Sequence, residues 1–192
     1  MICFIHFKNI LFFVYHIIFR IDVQGRENVP NSGAVILCSN HRSNNDAIIL
    51  AISQKRKLSF MAKDSLFKVP ILGFFLKKVG TFPVKRGSGD IAAVKKAIEI
   101  LNEDNVLSIF PEGTRNKTHD DLLEFKTGAV FIAYKANAAI VPCAIKGRYI
   151  PFSKIKVRFG SPFYVDTSER KPDVHGETEK LKNAVEKLYL EG

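Results

Sequence analysis

From residue 34 onward, short runs that are apolar at almost every position alternate with longer stretches in which apolar residues return at every third or fourth place. Residues 34–39, 58–62, 106–110 and 139–145 are runs of the first kind, which predict strands buried on both faces. Ile91, Val94, Ile98 and Leu101 fall on one face of a helix over 90–102, and Phe125, Ala129, Ile132 and Ala136 keep helical spacing. Residues 47–53 predict a further helix, 156–159 a short edge strand, and Leu181, Ala184, Val185 and Leu188 a closing amphipathic helix. Strands that alternate with helices build a sheet covered by helices. The expectation is a single α/β domain over 22–192 with a central mixed, mostly parallel sheet. Polar, glycine-bearing connections at 85–90, 115–121 and 166–176 mark no domain boundary, because the flanking elements need neighbours to be buried. No internal repeat or low-complexity tract supports a solenoid or a disordered tail. A chain of 192 residues suits one well-buried core and is short for two.

Residues 1–21 break this pattern with Phe4, Phe7, Phe12, Phe13 and Phe19 among several isoleucines, interrupted by His6, Lys8, His16 and Arg20. As a helix, the uninterrupted apolar core at 10–19 would rise only about 15 Å, against a hydrocarbon layer about 30 Å thick. A full span would put Lys8 inside the bilayer. A cleaved signal fits poorly, because no basic region precedes the apolar stretch and no small-x-small site follows it. The segment is expected to be a membrane-associating helix at the interface; a tilted span and a helix packed on the protein's own core are the alternatives. Residues 65–78 are apolar nearly all round, with lysines at or near the ends. They read either as a buried helix broken at Pro70 or as a surface element dipping into lipid.

A formal charge of +10 and a pI near 9.6 call for an anionic partner: nucleic acid, an anionic membrane surface or a phosphorylated small molecule. No nucleic-acid partner is expected, since neither a recognisable binding motif nor a platform of interleaved aromatics and arginines is present. Cys3, Cys38 and Cys143 lack metal-ligand spacing and read as free thiols in a reducing compartment. No metal site and no resident cofactor are expected.

Candidate chemistry sits where apolar runs end. His41 and Asp46 form a His-x4-Asp pair, which on a continuous helix would be about 140° apart, so they meet only if the chain turns between them. Ser43, Asn44 and Asn45 suit such a turn. In that geometry Asp46 accepts from Nδ1 and leaves Nε2 to take a proton from an alcohol. Taken alone, the pair reads first as a satisfied loop histidine with Asp46 as a helix cap. The stretch Phe110 to Asn116 then supplies a carboxylate at Glu112, a conformationally permissive Gly113, and Thr114 and Arg115 facing an anion. Arg115 has a fork suited to phosphate, and Lys85 with Arg86 offers a second cationic wall. A solvated arginine explains either cation singly; a base and two cationic loops at strand ends of one basic α/β domain are harder to dismiss.

The ordered blocks Asn-His-Arg-Ser-Asn-Asn-Asp at 40–46, Gly-Thr-Phe-Pro-Val-Lys-Arg at 80–86, Phe-Pro-Glu-Gly-Thr-Arg at 110–115 and Ile-Val-Pro-Cys-Ala at 140–144 resemble the four motifs of glycerolipid acyltransferases. The resemblance is strongest to bacterial 1-acyl-sn-glycerol-3-phosphate acyltransferases and covers most of 23–163. It implies transfer of a fatty acyl group from acyl-coenzyme A or acyl carrier protein to the 2-hydroxyl of lysophosphatidic acid, giving phosphatidic acid for phospholipid synthesis. It further implies His41 as general base, Asp46 as its partner, Lys85, Arg86 and Arg115 as phosphate contacts, and Glu112 with Gly113 as the acceptor-binding turn. An anionic membrane surface, at the cytoplasmic face of the cell membrane, would be the place of work. Asn116 departs from the serine that many members carry. A related acyltransferase acting on glycerol 3-phosphate or another lyso-lipid is the near alternative. A non-catalytic basic membrane module is the distant one.

Overall fold

The computed structural model describes residues 2–70, 73, 76, 80–84, 90–117, 121–166 and 172–192. In chain order its elements are α1 (Ile2–Ile18), β1 (Arg20–Gln24), a short 3-10 turn (Arg26–Asn28), β2 (Val35–Ser39), α2 (Asn45–Ser53), β3 (Leu58–Lys63) and α3 (Asp64–Phe67). There follow β4 (Thr81–Val84), α4 (Ile91–Asn102), β5 (Val106–Ile109), α5 (Gly128–Ala136), β6 (Ala139–Gly147), β7 (Lys154–Phe159) and α6 (Val174–Glu191). The strands form one sheet in the order β1-β7-β6-β2-β5-β3-β4. Every neighbouring pair is parallel except β6 and β7. The mixed, mostly parallel sheet expected from the alternation of elements is therefore present.

Side-chain alternation explains why two layers of helices are needed. In β2, Ile36 and Cys38 enter a core shared with α4, α5 and α6, whereas Val35 and Leu37 enter one shared with α2. Leu11, Tyr15 and Ile18 of α1 pack on this second core. A strand covered on both faces has no solvent side, hence its unbroken apolar run. Pro142 is tolerated in the interior strand β6 because of where its missing N–H falls. The β7 ladder begins at the Cys143–Phe159 pair, and the chain beyond β7 returns to Ile140 through an isolated bridge with Phe163. Pro142 sits in the gap and uses only its carbonyl, which accepts from Gly160 N at 2.8 Å.

Several expectations need correction. β7 is not an edge strand: β1 pairs with it from Arg20↔Lys154 to Gln24↔Arg158 and takes the edge instead. Polar Arg-Ile-Asp-Val-Gln gives β1 no apolar run to betray it. Residues 81–84, read only as part of a cationic loop, form the opposite edge strand, β4, where Pro83 is permissible. The helix expected from Phe125 begins at Gly128, with Phe125 buried ahead of it. Of the apolar segment at 65–78, α3 and Val69 are described, with Leu66 and Val69 exposed; most of the rest lies outside the described residues.

α1 packs on its own domain and also keeps an apolar face in solvent. Ile10, Phe13 and Ile17 are exposed. Lys8, the charge that a full span would have to immerse, instead reaches the carboxyl end of α2, donating to Gln54 O at 2.6 Å. Arg26 does the same for Ser53 O at 2.7 Å. Two cations at a helix carboxyl terminus satisfy carbonyls that have no partner within the helix. Burial, and secondarily Arg26, pull the Lys8 ammonium below the ordinary lysine value. Among the described residues, no helix is long and apolar enough to cross a membrane.

Candidate active site

The site lies beyond the carboxyl ends of β2 and β5, the adjacent central strands from which the chain crosses over to opposite sides of the sheet. Loops at such an edge diverge and leave room for a ligand. At the end of β2, Asn40 anchors the loop: its side-chain amide donates to Ile145 O at 3.0 Å and accepts from Ile145 N at 2.8 Å. This side chain extends the hydrogen bonding of β2 toward β6 by one residue, which fixes where His41 begins.

The chain then turns tightly, and His41 and Asp46 meet as the spacing required. His41 Nδ1 is 2.9 Å from Asp46 Oδ2. The same oxygen accepts from the backbone N–H of Arg42 at 2.6 Å and of Ser43 at 2.7 Å, so Asp46 holds the turn as well as the imidazole. Its other oxygen, Oδ1, accepts from the Tyr149 hydroxyl at 2.5 Å. Asp46 is only 1% exposed, and a carboxylate so buried is tolerable because four donors converge on it. The imidazole stacks on Phe110, with centroids 4.0 Å apart and planes 15° from parallel.

The loop after β5 braces this arrangement. Glu112 is buried; Oε1 accepts from His41 N at 2.6 Å and Oε2 from Leu123 N at 3.3 Å. Burial pushes the Glu112 carboxyl above its ordinary value, against the pull of those two N–H groups. Asn116 N donates to His41 O at 2.7 Å, a second tie between the two loops. Gly113 has φ of 69°, the left-handed conformation anticipated for it, and a Cβ there would come within 2.9 Å of the Lys126 side chain. Thr114 and Arg115, by contrast, are exposed. Lys85 and Arg86 lie outside the described residues. β4 ends just before them, on the same sheet edge and separated from β5 by β3. A small cleft beside Glu112 is lined by Asn40, Arg42, Asn116, Leu122 and Tyr189. The Arg42 guanidinium hydrogen-bonds the Tyr189 hydroxyl, which brings α6 to the rim.

Sequence reasoning missed Tyr149, Tyr189 and the anchoring role of Asn40. Tyr149 carries no local signal, being 103 residues from the aspartate it serves. Asn40 stood beside His41 in the first block, and its place directly after the apolar run at 34–39 was the available clue.

The sequence pattern of the acyltransferase family matches residues 20–146, a span that contains His41, Asp46 and the loops after β2 and β5, with Tyr149 just beyond its end. The chain belongs to the acyltransferase family. Within it, a Bacillus subtilis 1-acyl-sn-glycerol-3-phosphate acyltransferase is 36% identical over 151 residues, covering 75% of this chain and 74% of the relative. The Borreliella burgdorferi protein of that name is 34% identical over 66% of this chain and 51% of its own. Among solved structures, the 1-acyl-sn-glycerophosphate acyltransferase of Thermotoga maritima superposes with a TM-score of 0.73 at 25% identity, covering 95% of this chain and 77% of that one. These relatives identify the protein as an acyltransferase of the 1-acyl-sn-glycerol-3-phosphate type, an enzyme family.

Proposed function

We propose that the protein moves a fatty acyl group from the thioester of coenzyme A or acyl carrier protein to the 2-hydroxyl of 1-acyl-sn-glycerol-3-phosphate, forming phosphatidic acid in phospholipid synthesis. The observation that carries this reading is the buried Asp46 carboxylate 2.9 Å from His41 Nδ1 at the carboxyl edge of the sheet. With Nδ1 protonated toward Asp46, Nε2 holds the basic lone pair. Nε2 takes the proton of the acceptor hydroxyl as its oxygen bonds to the thioester carbonyl. The tetrahedral intermediate then expels the thiolate, which recovers the proton from the imidazolium. No acyl-enzyme is needed. Arg115, with Lys85 and Arg86 beyond β4, grips the acceptor phosphate, and Gly113 and Thr114 shape the turn that the headgroup meets.

The reaction takes place at an anionic membrane surface on the cytoplasmic side. The exposed Ile10, Phe13 and Ile17 of α1 support this, as do Ile150 and Phe152 at the tip between β6 and β7. That tip is tied to α1 by Phe152 N donating to Ile18 O at 2.6 Å. Exposed Arg20 and Arg148 lie in the same region, where cations meet lipid phosphates. The deciding assay gives purified protein matched acyl-coenzyme A and acyl-carrier donors with lysophosphatidic acid, glycerol 3-phosphate or uncharged monoacylglycerol. Turnover with lysophosphatidic acid well above the other acceptors is expected. Preference for glycerol 3-phosphate would reassign the substrate, and the absence of turnover with any thioester would overturn the reading.

A further inference from the structure

Asp46 has two oxygens, and the proposed mechanism uses one. Oδ2 faces His41 and the turn, whereas Oδ1 is directed to the opposite side, where Tyr149 donates to it at 2.5 Å. We propose that Tyr149 is a positioning residue for the His41–Asp46 pair, its hydroxyl fixing the rotation of the Asp46 carboxylate and drawing charge away from the oxygen that faces the imidazole. The inference rests on the reading of His41 as the base.

Three observations support it beyond the distance. The phenol is held in its donor form across the working range of pH, because burial first, and then the charge of Asp46, push its pKa far up. The Tyr149 ring is itself fixed, meeting Phe19 edge-on with centroids 5.7 Å apart. Phe19 follows α1, and it lies 5.7 Å from Tyr15, whose hydroxyl donates to Asn45 Oδ1 at 2.8 Å. Asn45 precedes Asp46 in the chain, so the aromatic group borders the catalytic carboxylate both through space and through its backbone neighbour. Docking of α1 thereby bears on the alignment of the pair.

Such a tyrosine has an electrostatic signature that a packing tyrosine lacks. The charged and titratable groups around His41 are Arg42 from the β2–α2 turn, Asp46 from the first turn of α2, Glu112 from the loop after β5, Tyr149 from the loop after β6 and Tyr15 from α1. Removing the Tyr149 hydroxyl returns negative charge to Asp46, which favours the imidazolium and raises the pH at which His41 becomes a base. Tyr149→Phe keeps the ring against Phe19 and should lower kcat about tenfold while leaving both KM values within about twofold. The acid limb of kcat/KM should move to higher pH, and the imidazole titration of His41, followed by nuclear magnetic resonance in the unliganded chain, should move with it.

A double variant decides whether the effect passes through the carboxylate. If it does, Tyr149→Phe combined with Asp46→Asn is no slower than Asp46→Asn alone; multiplying losses would overturn the inference. Site-specific 3-fluorotyrosine at position 149 keeps the fold and makes the phenol a stronger donor, so its acid limb should move to lower pH. An acid limb that stays put in that protein also overturns the inference, whether or not Tyr149→Phe folds. Full activity in a folded His41→Ala protein would instead remove the base reading. An inactive His41→Ala protein beside an unaltered Tyr149→Phe protein would sink the tyrosine role alone.

Discussion

The loops after β2 and β5 face each other across the same sheet edge, yet they are built in opposite ways. The first is locked: Asp46 receives an imidazole, two backbone N–H groups and a phenol, and His41 is held further through its own N–H and carbonyl. The second is locked at Glu112 and again at Asn116, and between them it carries Thr114 and Arg115 into solvent. The difference follows from the tasks proposed for them. A general base must be aligned before the hydroxyl arrives, since misalignment reduces the rate directly. A guanidinium meeting a phosphate is guided by charge, and can order itself as the anion binds.

The contrast breaks most sharply at the pair. His41→Ala should lower thioester turnover by about 10² to 10⁴ with a nearly unchanged melting curve, and Asp46→Asn should do similar damage by losing the charge that fixes the tautomer. Asp46→Asn should also melt lower, because it disturbs the turn N–H groups as well as the imidazole. Arg115→Ala should act on binding instead. It should raise the KM for lysophosphatidic acid by about tenfold or more, as loss of a charge-assisted contact of about 1.5 to 3 kcal/mol requires, and barely alter that for the donor. A fall in kcat of the same size would show that the exposed loop is as preorganised as the buried one.

A second comparison sets the inward face of α1 against its outward face. Replacing Phe13 and Ile17 together by serine should weaken co-sedimentation with anionic vesicles by about tenfold or more, since each exposed side chain offers about 1.5 to 3 kcal/mol on burial. The melting temperature should hold. These substitutions are more incisive than deleting residues 1–21, which would also remove Arg20 and Ile21 from β1.

The smallest effect concerns Glu112. Its folded pKa is raised by burial, so its stabilising contribution is complete below the ordinary glutamate value and is lost as pH rises through the folded one. Glu112→Gln does not titrate. The melting temperature of the variant relative to the parent should therefore climb as pH rises from the ordinary glutamate range through the raised folded value. A difference that stays flat would mean that Glu112 is held charged as comfortably inside as in water.

What the sequence disclosed was what is local in it. β2, β5 and α4 were located to within a residue or two because a strand covered on both faces, or a helix with one apolar stripe, writes its own pattern. His41 and Asp46 were legible for the same reason, five residues apart with turn formers between them. β1 and the true position of β7 were not, because their pairing depends on residues far apart in the chain and their polar side chains lie toward an edge. Glu112 was read as part of an acceptor turn, and both of its oxygens are engaged by backbone N–H groups, one from the loop after β2 and one from farther along its own loop. Nothing short of the tertiary fold indicates that a carboxylate next to Gly113 turns inward.

The placement of β1 also imposes a schedule on folding. Its neighbour in the sheet is β7, with Arg20 opposite Lys154, so during synthesis β1 has no strand to join until nearly the whole domain has emerged. Contacts of such long range form late, because much chain must be ordered before they close. α1, which runs directly into β1, has its partner sooner, since Lys8 and Tyr15 bond to Gln54 and Asn45 at the two ends of α2, and it gains the tie from Phe152 only once the β6–β7 tip is made. The sheet order thus sets a sequence of events in which the amino-terminal helix can find its neighbour well before the strand that follows it finds its own.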